Sequence, residues 1–538
     1  MRAILALLVI LLAAATRADR ILLIPLDSRP AAGQFAQMIA AMADVEVRFP
    51  PYTTLGRFTQ PGSPDAILDW LEAQQLGHAD ALVVSADMIA YGGLIESRVH
   101  SVSYETALKH LRRLVSIIKK WPKLKVYAYS AVMRLDPTSY RANASYRASL
   151  GRLEELRDRY ARDKNAAYLA SIANLKRRVP AAAYADYLAA RKRNHEIQRQ
   201  LLKMTAGGAF EYTVLGQDDA RPYGPHVAET QALRALTKKL QIGGKVYYCE
   251  GIDQHSNILV SRALLKRSEW TPRVRIVYSD PVGRLKYAHY ESKPIEKSLE
   301  DQLLASGARP VLPGQSYDYS LYLNTPDPRP DFFATFLRNL KEEVDQGLPV
   351  CVADINLGND GTADPALFAA LWERARMMRV LGFAGWNTAG NSMGTSIPAS
   401  NVYLLARRLR VDSLAREVAQ REFLLHRYVN DFAYHKFVRP LAYALIDSAR
   451  GGSRDETYGL EFVEVNEFVK KDLERYLDRY FHEQFLGQRF FAGTKQYTFN
   501  GISDIKIFLP WPRAYEVRLE FRLRAQEVAA DADSSGKK

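Results

Sequence analysis

Two adjacent carboxylates, Asp218 and Asp219, close an apolar run that reads Y-T-V-L-G-Q from Tyr212 to Gln217. Alternation sends Tyr212, Val214 and Gly216 to one face and Thr213, Leu215 and Gln217 to the other, the pattern of a strand. Acids delivered just past the C-terminal end of such a strand are held by a rigid scaffold and stay open to a ligand. Two nearby like charges resist joint ionisation, so a neighbouring pair can supply one protonated and one charged carboxyl, the combination that glycoside cleavage uses. The bland alternative is an Asp pair that caps the next helix.

The same event recurs along the chain. Arg20 to Asp27, R-I-L-L-I-P-L-D, ends in Asp27 and Arg29; the strand over Ala79 to Ser85 is followed by Asp87, Tyr91 and the Gly92-Gly93 pair. Leu124 to Ser130 leads to Arg134 and Asp136, and Lys245 to Glu250 leads to Asp253-Gln254-His255. Leu348 to Ala353 leads to Asp354, Asn356 and Asp360, and Gly382 to Gly385 leads to Trp386, Asn387 and Asn391. If these rims converge, they line one concave site rich in carboxylates and amides, the mixed donors and acceptors that sugar hydroxyls require. Within it Trp386 and Tyr91 could stack on a sugar ring, with core packing the commoner fate of such aromatics. Arg29 and Arg134 suit an anionic substituent, or an internal ion pair with Asp27 or Asp136. Asn387 and Asn391 could also simply shape a turn.

Strands alternating with helical patterns make the core α/β with a parallel sheet. Roughly ten strands exceed the eight of one closed barrel. Two architectures fit: a TIM-barrel-like domain with extra strands, which is preferred, or two doubly wound domains split near residues 240 to 270 with the site between them. The core spans 19–400, interrupted at 140–204 by an Arg-, Ala-, Leu- and Glu-rich helical insertion. Residues 401–528 read as an α+β C-terminal region, mostly helical and ending in a β pair, Ile505 to Leu509 with Tyr515 to Leu523. The last ten residues, 529–538, read as a disordered tail.

Arg2 precedes an apolar run from Ala3 to Ala15, which reads as a secretory signal peptide over 1–18 and predicts an exported protein without a stable membrane span after cleavage. The 74 Lys and Arg against 60 Asp and Glu give a net charge of +14. No nucleic-acid motif accompanies this excess, so an anionic cell-envelope polymer is the more economical partner, and a solvated helix face the plainer explanation. Cys249 and Cys351 stand inside strands and read as buried free thiols. Neither they nor the Asp354 stretch match a zinc or EF-hand pattern, so no metal or other cofactor is expected. The chain has no phosphate-binding G-x-x-x-x-G-K-[ST] loop, which disfavours nucleotide hydrolysis; the G-x-S-x-G spacing of a serine elbow occurs once, at Gly390 to Gly394 (G-N-S-M-G).

The segments I-P-L-D-S-R-P at 24–30, S-A-D-M-I-A-Y-G-G-L-I-E-S-R at 85–98, L-G-Q-D-D-A at 215–220 and G-W-N-T-A-G-N at 385–391 together resemble the bacterial DUF4127 family, over nearly the whole chain after the leader. That resemblance carries no mechanism. The Asp pair with a later rim Asn is also similar, over that one motif, to β-N-acetylglucosaminidases that cleave O-GlcNAc and to related hyaluronidases. This similarity implies that Asp218 orients an acetamido group while Asp219 is the general acid/base. The expected function is an exported glycoside hydrolase acting on an amino-sugar-containing or anionic polysaccharide. A non-catalytic carbohydrate-binding envelope protein and a metal-assisted hydrolase are the alternatives.

Overall fold

The computed structural model describes residues 20–358, 361–449 and 451–528. The expected leader, the C-terminal tail and Asp360 lie outside the described residues.

Strands β1 (Arg20–Ile24), β2 (Glu46–Arg48), β3 (Ala81–Ser85), β4 (Lys125–Val132), β5 (Tyr212–Gln217) and β6 (Val246–Glu250) form one parallel sheet in the order β2-β1-β3-β4-β5-β6. A second parallel sheet holds β7 (Arg273–Tyr278), β8 (Arg309–Pro310), β9 (Tyr319–Asn324), β10 (Val350–Asp354) and β11 (Gly382–Ala384) in the order β8-β7-β9-β10-β11. The preferred barrel is therefore not what forms. Among the described residues β2 and β6 each pair on one side only, so the first sheet ends in two open edges. After β6 the chain enters the helix His255–Arg267 and crosses to the second sheet instead of closing the first.

Both faces of the first sheet are covered, and the period-2 pattern shows how. Ile21, Leu23, Val83, Tyr127 and Val214 belong to one core, whereas Leu22, Ile24, Val84, Val126 and Leu215 belong to another. The first of these cores also takes Leu321, Leu323, Cys351 and Ala353 from the second sheet, together with Ile258, Leu259, Met393 and Ile397 from two helices. The helices His255–Arg267 and Ala389–Arg408 thus form a layer shared by the sheets. Near-continuous apolar strands follow from this burial on both sides. Cys249 and Cys351 are both buried and unpaired. Gly92 and Gly93, at φ of 93° and 135°, make a tight bend: a Cβ on Gly92 would lie 2.7 Å from the Gly62 carbonyl oxygen, so backbone and not ligand fills that approach.

Between β4 and β5 stand three α-helices, Arg147–Asp163, Ala167–Arg178 and Ala181–Ala206. The C-terminal region contains Ser413–Tyr428, a π-helical stretch Val429–Val438, Arg439–Ser448 and Gly459–Gln484, followed by an antiparallel sheet β12 (Arg489–Ala492), β13 (Lys495–Phe508) and β14 (Arg518–Glu527). The sheet has three strands where a pair was expected. Register shifts between Phe499 and Gly501 and between Ser503 and Lys506 break the alternation of β13, hiding its first half from pattern reading. Among the described residues no helix is long and apolar enough to cross a membrane.

Candidate functional site

The loops after β1, β3, β4, β5 and β6 all open into one cavity of about 530 Å³. This is the C-terminal edge of a sheet whose order reverses beside β1, the place where open α/β sheets bind ligands. From these loops come Arg29, Arg98, Arg134, Asp136, Asp218, Asp219 and Asp253. The second sheet contributes Asn387 and Asn391 from the turn after β11, and the connection between β13 and β14 lays Trp511, Arg513 and Tyr515 across the opposite wall.

Each element is fixed for a local reason. Trp511 is buried and donates from Nε1 to Ser28 Oγ at 2.9 Å, while its ring lies 5.0 Å from the Arg29 guanidinium. The C-terminal sheet is thereby pinned to the end of β1. Gly216 in β5 leaves room for the β6 loop: a Cβ there would stand 2.0 Å from His255 Cε1 and 2.7 Å from the Gly251 carbonyl oxygen. The absent side chain lets Gly251 to Asp253 lie beside the strand that carries Asp218. Asn387 takes φ of 56°, a left-handed turn that Asn tolerates, and its Nδ2 donates to Asn391 Oδ1 at 2.6 Å.

The twin aspartates have different environments. Asp218 is buried; its Oδ2 accepts from Arg98 Nε at 3.0 Å and Nη2 at 2.5 Å, and its Oδ1 from the Asp219 amide at 2.9 Å. Burial works against its charge, but Arg98 and Arg134 prevail and hold its pKa below the usual carboxylate value. The side chain of Asp219 is 28% exposed and meets Arg134 Nη2 at 2.5 Å through Oδ2. Its Oδ1 has no protein hydrogen-bond partner among the described residues. Burial, against the pull of Arg134 and with the Asp218 charge beside it, holds Asp219 above its ordinary value. The pair is thus split into a firmly held anion and a carboxyl that gives up its proton less readily than an ordinary Asp.

Arg29 spans two acids, Asp27 at 2.7 Å and Asp253 at 2.6 Å. Burial disfavours its charge, yet Asp253 and Asp27 keep its pKa well above the usual arginine value. The other cavity arginines are equally paired: Arg147 with Asp455, Arg221 with Asp136 and Glu155, Arg454 with Asp447, and Arg513 with Glu516. A wall of compensated charges offers many donors and acceptors without a strong net field.

Of the residues singled out in the sequence, the cavity gathers Asp218, Asp219, Arg29, Arg134, Asp253, Asn387 and Asn391. Asp27 stands one step behind, holding Arg29. Four lie elsewhere. Asp87 is buried, with Oδ2 accepting from the Ala131 amide at 2.8 Å and Oδ1 from Ser130 Oγ at 3.2 Å; it ties β3 to β4, and burial raises its pKa to about 7. Tyr91 is buried under the Arg193 guanidinium, 4.1 Å from its ring. Asn356 belongs to the rim of the second sheet, donating to Asp364 Oδ2 at 2.7 Å. Trp386 is packed edge-on against Phe35 at 5.6 Å, outside the main cavity. Arg98, Tyr290, Trp511, Arg513 and Tyr515 were not singled out. Arg98 stands at the end of the 85–98 segment, a Trp between two prolines was the available signal for Trp511, Arg513 and Tyr515, and no local signal marks Tyr290. Among the described residues no three His, Cys, Asp or Glu side chains are grouped as a metal cage would need.

The family model described as a protein of unknown function (DUF4127) matches residues 21–520, which includes every wall of this cavity. The chain belongs to that family. No curated protein matches it. The DUF4127 match covers the parallel sheets from Ile21 onward, β12 and β13, and only the start of β14, and the cavity, whose lining runs from Arg29 to Tyr515, lies wholly within that span.

Proposed function

We propose that this is an exported glycoside hydrolase acting on a hydroxyl-rich carbohydrate of the cell envelope. The observation that carries the reading is the split aspartate pair. Asp219 presents an unbonded oxygen to the cavity and holds a proton more tightly than an ordinary Asp, while Asp218 is locked behind it as an anion. Asp219 donates its proton to the leaving glycosidic oxygen as the bond from that oxygen to the anomeric carbon breaks. A water oxygen forms the new bond to that carbon and its proton passes to the water of the cavity, since Arg29 already donates to both oxygens of Asp253, the carboxylate that the β6 loop brings there. Asp218 is a positioning residue in this scheme. Both its oxygens already accept protein hydrogen bonds, which leaves it poorly placed to hold a substrate acetamido nitrogen.

The complete pairing of the cavity arginines favours an uncharged ligand over an anionic one, because no unpaired guanidinium stands among these residues to repay the desolvation of a carboxylate. A carbohydrate-binding protein without turnover would use the same wall. The two separate on one experiment: wild type and Asp219→Asn are assayed on neutral and uronate-containing oligosaccharides for both reducing-end release and binding. Release by the wild type that is lost in Asp219→Asn, with binding kept, supports the hydrolase. Binding by both proteins without release in either assigns a binding role.

A further inference from the structure

A small side pocket of about 40 Å³ adjoins the main cavity across Asn387 and Tyr515, which line both and are joined by a 2.6 Å hydrogen bond from Tyr515 Oη to Asn387 Oδ1. Its inner walls are Ala31, Phe35, Trp386 and Val517, and its polar groups include Asn430 and His435. Trp386 Nε1 already donates to Thr395 Oγ1 at 3.3 Å, so the indole has no hydrogen-bonding atom left for the pocket.

The two polar groups are complementary in kind. Asn430 is 6% exposed, lines this pocket and makes no side-chain hydrogen bond among the described residues, and its amide atoms are not sealed from solvent. His435 Nδ1 lies 3.1 Å from the Gly361 carbonyl oxygen, which can only accept, so Nδ1 carries the proton. Burial, aided by the nearby Arg439 charge, depresses the pKa of His435 well below the ordinary histidine value, which leaves Nε2 of the neutral ring as an acceptor. One accessible amide, one acceptor and an apolar wall thus meet in a space of about 40 Å³, room for about three water-sized groups where one needs roughly 10–15 Å³.

Resting on the carbohydrate reading above, we infer that this pocket receives an acylamino substituent of the sugar bound in the main cavity. The carbonyl oxygen accepts from Asn430 Nδ2, the N–H donates to His435 Nε2, and the methyl packs on Trp386, Phe35 and Val517. A carboxylate is a poor occupant, since the one guanidinium among the lining residues, Arg29, is already held by Asp27 and Asp253. A plain hydroxyl leaves the apolar wall unfilled and one polar group unpaired. The substrate class is therefore N-acylated sugar.

Isothermal titration of the full-length protein with tri-N-acetylchitotriose and with cellotriose, which differ at the acylamino position, tests this. The wild type is expected to bind the acetylated trisaccharide at least tenfold tighter. Ala31→Leu, which fills the pocket, is expected to erase that preference, and Asn430→Ala to reduce it while leaving cellotriose affinity unchanged. Thermal melts of both variants establish that they fold, and if Ala31→Leu does not, Asn430→Ala decides alone. Equal wild-type affinities overturn the pocket assignment and leave the carbohydrate reading standing. Failure of both trisaccharides to bind overturns the carbohydrate reading and the assignment with it. A wild-type preference that survives in Asn430→Ala and Ala31→Leu places acyl recognition elsewhere and overturns the assignment alone.

Discussion

The two parallel sheets share one strand order, second-first-third-fourth-fifth, and each ends its strands in acids and amides, yet their C-terminal edges behave in opposite ways. On the first sheet the rim faces a cavity and Asp219 keeps an oxygen unbonded. On the second the rim folds back on itself. Asp354 accepts from Asn324 Nδ2 at 3.0 Å, the Asn356 amide at 3.1 Å and the Asp364 amide at 2.5 Å; Asp364 in turn caps the helix Pro365–Trp372, and Asp280 clamps Arg329 at 2.8 Å. A rim carboxylate is available for chemistry only while its neighbours leave its hydrogen bonding incomplete. What keeps the first rim open is the C-terminal sheet, which supplies a second wall at Trp511, Arg513 and Tyr515.

Asp219→Asn bears on this contrast most heavily. Removal of a general acid is expected to lower kcat on the oligosaccharide by about 10²–10⁴-fold with KM little changed. Asp354→Asn in the same assay should stay within about twofold, since it sits on the closed rim. Equal losses from the two substitutions in steady-state kinetics would erase the distinction between the edges. Next in size is Arg98→Met, which strands the buried Asp218 charge and is expected to cost about 3–5 kcal/mol in urea unfolding. A cost under 1 kcal/mol would show that Asp218 is not held by that pair. Asp354→Ala leaves three N–H donors without their acceptor and should cost about 2–4 kcal/mol with ligand affinity unchanged.

Two pH measurements sharpen the comparison further. Asp219 must be protonated to act, so kcat falls as pH rises through its raised pKa. Arg134 is the group that opposes that rise, and Arg134→Met should therefore move the descending limb to higher pH. A limb that stays in place or moves down would remove Asp219 from the acid role. The smallest effect concerns Asp87, whose pKa is raised by burial from 3.8 to about 7. The folded state holds this proton more tightly than the unfolded chain, so its contribution to stability is complete below about pH 4 and is lost as pH rises through about 7. Asp87→Asn mimics the neutral form. Its melting temperature should vary less with pH across that window than the wild type's, and an unchanged slope would show that Asp87 titrates normally.

The sequence was sufficient for the local facts. Apolar runs such as Y-T-V-L-G-Q specify strands because burial on both faces permits no polar alternation, and the residues after them are polar because the rim meets solvent or ligand. Asp218, Asp219, Arg134, Asp253, Asn387 and Asn391 were legible for that reason. Long-range pairing was not. Nothing local tells β6 that its outer edge stays open, so two sheets and one barrel share the same string of β/α units. Asp87 and Asp354 read like Asp219 until their partners, the Ala131 amide and the Asp364 amide, are brought to them by neighbouring strands and loops. Trp511 and Arg29 are 482 positions apart, and their stacking depends on how the final sheet docks. Hydrophobic pattern acts over a few residues, whereas the completeness of a carboxylate's hydrogen bonds is a property of everything folded around it, and only the tertiary structure decided that.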